Sequence, residues 1–457
     1  MKIKRIIASE IATLDSDVIK GGVKDVTKEL QAALDEALTC GGVHLVMDGA
    51  ALVSTLRVHS NTTIECLNLS CGFFQKANSN TGIISNYCDD LKDLVYNRPL
   101  KNVTLKGGTY NQNCANQAHH VLIEPGSQAY DYFCDDWAHW HYVFGLEFYG
   151  VENLTIRDLH IMDFSVYACL IGGFKNVLIE NVWLDLPGRI QAHNQDGFHS
   201  WGPGQYLTVR NVGGRVGDDF MNLGPDEVDY ESSITDVIVD GVFHDDADQS
   251  IRMLSRGTGR LDRVTIRNIT GTYRSFGFYV NCWFPGGTYG NFGNIFVENV
   301  DLRAVEPNYT YRDPMLFSVG GNIECLTVKN LRHHLPYDKR TLFEIGLPYY
   351  NYRDPLPEGT RPRMGTFIID GLTVIEEDSN AKDAEYIQIF EPIDRLILRE
   401  VLVLKHGDEK NGHLLTFKKN GEIGDLVLHD VITRGFKGNI SEPERIHRII
   451  SQDVTEE

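Results

Sequence analysis

The chain has 457 residues, 42% of them apolar, and 43 glycines, which describes a globular protein with many turns and excludes a disordered one. Its net charge of −20, from 43 basic and 63 acidic residues, excludes a nucleic-acid binder, which needs a basic footprint. No stretch approaches the roughly 20 apolar residues of a membrane span, so no membrane partner is expected.

The N-terminal "MKIKRIIASEIATLDSD" carries lysines but only a very short apolar stretch, a poor signal peptide. Nine cysteines without a CxxC pair read as reduced thiols, and a cytoplasmic location is expected. No Cys/His set has zinc-ligand spacing, so no metal site is expected. Residues 1–50 read as an N-terminal cap. In "DVTKELQAALDEALTCGG", Asp25 or Thr27 is the helix-cap candidate. Leu30, Ala33, Leu34, Ala37 and Leu38 form one apolar stripe, and Gly41-Gly42 stops the helix.

A repeat follows. "NVTLKG" (102–107), "NLTIRD" (153–158), "NVLIEN" (176–181) and "YLTVRN" (206–211) share one pattern with "DVIVDG" (236–241), "RVTIRN" (263–268), "NIFVEN" (294–299) and "CLTVKN" (325–330). "TFIIDG" (366–371), "RLILRE" (395–400) and "DLVLHD" (425–430) continue it. Alternation puts Val264 and Ile266 on one face and Thr265 and Arg267 on the other. The closing Asn, Asp or Gly suits a tight turn that needs positive φ or a side-chain bond to the backbone. A second short strand precedes each segment, as in "DGFHSW" (196–201) and "DFMNLG" (219–224). From 153 onward the spacing is 23 to 41 residues, and hairpin signals are few. A β-sandwich or propeller fits this less well than an all-β, right-handed, single-stranded parallel β-helix of about 10–12 coils with an N-terminal capping helix. The β-helix is expected over 51–435, with a C-terminal tail or cap over 436–457. Insertions near 110–142 and 346–365 interrupt it. The first carries Trp137, Trp140 and His141. Long loops on a rigid scaffold build binding sites or pack on neighbouring coils, and both readings stay open here.

Neighbouring coils sit about 4.8 Å apart. Aligning "QDGFHSW" with "GDDFMNL" places Asp196 over Asp218 and Asp219 beside Gly197, on a solvent-facing ridge. Asp248 and Gln249 of the next coil fall in line. Carboxylates this close divide into one protonated and one ionised group near neutrality, which acid–base cleavage of a glycosidic bond requires. The alternative is that these aspartates only cap turns, a reading with more weight for Asp248 than for Asp218 and Asp219. His199 either donates to a substrate hydroxyl, orients Asp218, or is structural. Trp201, Trp283 and Trp140 offer apolar rings for sugar faces or pack within the protein.

"NQDG" and "GDDF" resemble the Asn-Thr-Asp and Gly-Asp-Asp motifs of the polygalacturonase family of glycoside hydrolases, within the pectate-lyase-like superfamily. The N-terminal "TKELQAALDEALTCGGVHLVM" resembles the entry helix common in that superfamily. The resemblance implies a parallel β-helix and inverting hydrolysis on three aspartates. Asp218 or Asp219 would be the general acid, and Asp196 with the remaining aspartate would activate water. The family's Gly-His-Gly should fall where Asp248-Gln249-Ser250 stands, and its basic Arg-Ile-Lys where Tyr279, Asn281 and Cys282 stand. Both departures argue against polygalacturonate and for a neutral or differently charged sugar. Arg252 and Arg256 remain candidates to hold an anionic group.

The expected function is a glycoside hydrolase acting on an oligosaccharide or polysaccharide without a cofactor. Three alternatives stand beside it: a polysaccharide lyase whose aspartates bind Ca²⁺ and whose Arg252 takes the proton, an intramolecular fructosyl-transferring enzyme, and a non-catalytic or tailspike-like carbohydrate-binding β-helix. A homo-oligomer, including a trimer, is compatible with the sequence.

Overall fold

The computed structural model describes residues 3–88, 90–123, 140–187, 194–282, 288–305, 314–335, 341–346, 359, 361–376, 385–405 and 410–457. The chain is a right-handed parallel β-helix that divides into two compact units, Met1–Asn222 and Leu223–Glu457.

In the first unit a parallel ladder begins at Lys4–Ile7. It climbs through Val43–Met47, Thr62–Cys66, Leu100–Lys106, Leu146–Met162 and Cys169–Asp185 to Phe198–Arg215. In the second, Ile234–Leu254 pairs with Leu261–Asn281, and the ladder ends at Ile423–Arg434 against Ile446–Glu456. Val43–Met47 in the first unit and Ile446–Glu456 in the second also carry rungs.

The repeat explains the ladder. Val264 and Ile266 are buried while Thr265 is half-buried and Arg267 exposed. The residue that closes each of the eleven segments has positive φ, from Gly107 at 75° through Asn181 at 53° to Asp430 at 53°. Glycine, Asn and Asp tolerate that left-handed turn best. Glu400, at φ 51°, adopts it without their advantage. The turn aligns side chains between coils. In the first unit Asn211 donates to Asn181, and Asn181 to Asp158. In the second, Asn330 donates to Asn299 and Asn299 to Asn268 at 3.0 and 3.1 Å. Stacked amides satisfy one another's donors and acceptors rung after rung.

The capping helix runs Thr27–Asp35, then restarts as Ala37–Cys40 and stops at Gly41 with φ 94°. Two expectations change. Val26 occupies the N-cap position, and Asp25 instead accepts the Thr27 N–H at 3.0 Å. Leu30, Ala33, Leu34 and Ala37 are buried, but Leu38 is 69% exposed, because at 3.6 residues per turn it falls at the edge of their stripe. No described helix is long and apolar enough to cross a membrane. Every described cysteine is a free thiol.

Candidate functional site

Asp196, Asp218 and Asp219 converge in the first unit. One carboxylate oxygen of each lies within 4.8 Å of the other two. Backbone bonds fix the arrangement. Gly197 N–H donates to the Asp219 carbonyl at 2.8 Å, and Gly217 and Asp218 N–H both donate to the Gln195 carbonyl. Gln195 is itself held through its side-chain amide to the Phe164 carbonyl at 2.9 Å. Gly197 has a steric role, because a Cβ there would lie 2.4 Å from the Phe220 carbonyl oxygen.

Two details differ from the sequence alignment. The Cys169 N–H reaches the Gly197 carbonyl where Cys169 pairs with Phe198, so the Gly197 bond to Asp219 sets Phe220 opposite Gly197 and Asp219 opposite Asp196. The register is shifted by one residue from the expected pairing of Asp196 with Asp218, because Gly217 and Asp218 share one acceptor at the turn before the strand. The cluster is also not a solvent-facing ridge. Asp196, Asp218 and Asp219 are 2%, 8% and 0% exposed.

Polar and aromatic neighbours orient the acids. His199 Nδ1 is 2.7 Å from Asp196 Oδ2. The His199 ring stacks on Tyr167 at 3.9 Å and meets Trp201 edge-on at 5.9 Å. Asn194 N–H donates to Asp218 Oδ2 at 2.7 Å. Tyr167, which fixes the plane of His199, escaped the sequence reading. Its signal was its place at the head of "YACLIG", two residues before the strand Cys169–Asp185 of the coil before the histidine.

The remaining candidates fall in several places. In the first unit His141 is buried and bonded to Glu147, with the Glu147 carboxylate also accepting from Ser85 Oγ at 2.9 Å. Glu147 was missed, although it is the lone acid in the apolar run "VFGLEFYG". Trp140 contributes backbone to a short antiparallel pair, Trp140 opposite Leu122, and its side chain lies outside the described residues. Trp283 lies outside them too, as do most of the 346–365 insertion and residues 124–139 of the first one.

In the second unit Asp248, Gln249, Arg252, Arg256 and Tyr279 are all buried. Asp248 Oδ1 accepts from Ser275 at 2.8 Å and faces Arg274 at 3.8 Å. Arg252 lies over the Tyr279 ring at 6.0 Å, and Tyr279 stacks on Phe276 at 4.5 Å. Arg256 covers the Tyr230 ring at 4.7 Å. Its N–H, with that of Gly257 and the Ser255 hydroxyl, donates to Asp226. Burial raises the Asp226 pKa to about 6 against those donors.

No protein-family model and no curated protein sequence matches the chain. Solved structures do. A family 28 exopolygalacturonase of Yersinia enterocolitica is 13% identical with a TM-score of 0.52, over 99% of this chain and 78% of that one. A hyperthermoactive exopolygalacturonase from Thermotoga maritima is 12% identical with a TM-score of 0.50, over 98% and 92%. The tailspike protein of E. coli bacteriophage HK620, solved in complex with a pentasaccharide, is 9% identical with a TM-score of 0.59, over 96% and 77%. What this chain shares with these proteins is the parallel β-helix fold.

Proposed function

We propose that the protein is a glycoside hydrolase that cleaves an oligosaccharide at Asp196, Asp218 and Asp219. The observation that carries this reading is the packing of three carboxylates, all buried, within 4.8 Å of one another. Burying like charges together is unfavourable unless a proton, a cation or a substrate resolves the repulsion. Glycosidic cleavage uses such a group. One carboxylic acid protonates the leaving oxygen while a carboxylate serves the other side of the anomeric carbon. Asp218 or Asp219 is the acid, and Asp196 with the remaining aspartate is the base. His199, bonded to Asp196 and clamped by Tyr167, is a positioning residue that holds the Asp196 carboxylate in one orientation. Two exopolygalacturonases and a pentasaccharide-bound tailspike share the fold, which supports a glycan substrate. The Asp248-Gln249-Ser250 and Tyr279 departures favour a sugar other than polygalacturonate.

A second reading has its own observation. Two oxygens that both ligate Ca²⁺ at 2.3–2.6 Å lie no more than about 5 Å apart, and the three aspartates meet that limit. In that case the cluster would hold the cation that acidifies a uronate in a lyase. Turnover on neutral and uronate oligosaccharides, measured with and without a chelator, separates the two. Chelator-resistant cleavage is the expected result. Loss of activity on chelation with restoration by Ca²⁺ would replace the hydrolase by the lyase.

A further inference from the structure

Three rungs before the carboxylate cluster is complete, the same outward position of the first unit carries a second polar site. Ser85 pairs with Glu147, Glu147 with Leu170, and Leu170 with His199. Parallel pairing keeps these side chains on one face, so Glu147 lies two rungs, roughly 10 Å, from His199. A pocket of about 300 Å³ opens there. Its floor is the buried pair His141–Glu147 with Ser85. The His141 ring stacks on Tyr87 at 4.1 Å, 15° from parallel. Thr81 and Arg57 line the same pocket, and the Arg57 guanidinium donates to the Tyr87 carbonyl at 2.8 Å. Val121 and Leu122 form another side, on the antiparallel pair His120–Leu122 with Trp140–Tyr142. That pair belongs to the insertion that interrupts the repeat, so inserted chain builds the wall of a cavity.

We propose that this pocket is a sugar subsite which takes one neutral pyranose unit of the same oligosaccharide that is cleaved at the aspartates. The inference rests on the hydrolase reading and adds to it where the chain of sugars runs and what it carries. A hydroxyl-rich ring meets hydroxyl and imidazole groups that donate and accept, and a carboxylate that accepts. The apolar rim of Val121 and the 63% exposed Leu122 suits its C–H face. Glu147 is already paired with His141 and Arg57 lines the same pocket, so the acid and the cation offset each other and the lining suits a neutral ring better than a uronate. Two rungs of separation put the pocket at the far end of a short oligosaccharide and not at the bond that breaks.

The test uses Asp219→Asn protein, so that probes persist, and adds Glu147→Gln or Val121→Trp. Val121 is half-buried on the pocket wall, and a tryptophan there fills the space without removing a buried charge. The probes are gluco-, galacto-, rhamno- and galacturono-oligosaccharides of two and four units, with affinity read by calorimetry. The expected result is a neutral tetrasaccharide that binds more tightly than its disaccharide. Each added substitution weakens the tetrasaccharide by about tenfold or more, the loss of one good contact, and leaves the disaccharide unchanged. Equal tetrasaccharide affinity in all three proteins, or a preference for galacturonate that Glu147→Gln leaves intact, would overturn the subsite while leaving a glycan-acting protein. Binding of no probe to the Asp219→Asn protein would overturn the subsite and the glycan reading together.

Discussion

The carboxylate cluster of the first unit differs from the buried acids of the second. In the second, Asp248 is met by Ser275 and faces Arg274, and Asp226 is ringed by the N–H groups of Arg256 and Gly257 and the Ser255 hydroxyl. Those acids face donors and cations, and they tie turns and strands together. In the first unit Asp196, Asp218 and Asp219 face one another. A carboxylate met by donors and cations, with no second acid beside it, is accounted for by folding. Three that crowd together are accounted for by chemistry, because stability alone would favour neutral or apolar residues there.

The contrast breaks most sharply at Asp219. Asp219→Asn keeps the size and hydrogen-bonding shape of the side chain but removes its proton chemistry. Turnover is expected to fall by about 100- to 10,000-fold, with the thermal midpoint held or raised because one of three crowded buried acids becomes neutral. An Asp219→Asn protein with full turnover would place this acid among the structural ones.

A second prediction sharpens the other side. Burial holds the Asp226 pKa near 6 in the folded chain against 3.8 in the unfolded one. A folded pKa raised in this way gives stability that is fully present below 3.8 and is lost as pH rises through 6. Burial also pushes His244 down to about 4, which works in the opposite sense, its stability being present above 6.5 and lost as pH falls toward 4. Comparing the wild type with Asp226→Asn cancels the histidine, since both proteins contain it. The wild type should lose roughly 3 kcal/mol relative to the variant between pH 3.8 and pH 7. Chemical denaturation across that range measures it, and parallel curves would show that Asp226 does not titrate there. Activity per folded molecule should not follow this curve.

The smallest effect is expected on the turn ladder, which serves the scaffold alone. Asn299 combines φ 56° with bonds to Asn268 and Asn330. Asn299→Ala loses both the bonds and the tolerance of positive φ, for about 1–2 kcal/mol. Asn299→Gly keeps the backbone tolerance and should cost less. Equal losses in the two variants, measured by denaturation, would assign the whole effect to the amide stack.

The parts legible in the sequence were those with a period. Alternating apolar residues and a closing Asn, Asp or Gly fixed strands, inner face and turns, and the closing residue has positive φ in every one of the eleven segments. What was not legible depended on local phase. Leu38 satisfies helical spacing, but it sits at the edge of the stripe and is exposed. Asp196 aligns with Asp218 by eye, whereas two consecutive N–H groups sharing the Gln195 carbonyl move the register by one. The aspartates were visible as a motif. Glu147 and Tyr167 were not, because each is one polar or aromatic residue in an apolar stretch; the inserted chain brings His141 onto Glu147 six residues on, and the stacking of coils brings Tyr167 against His199.

The measurement that tests the central claim most directly is mass spectrometry of cleavage products formed in ¹⁸O-labelled water from a panel of neutral and uronate-containing oligosaccharides. Hydrolysis at the three aspartates predicts products that together gain one labelled water, and no such products from the Asp219→Asn protein. Products that gain no water, or labelled products made equally well by the Asp219→Asn protein, would contradict it.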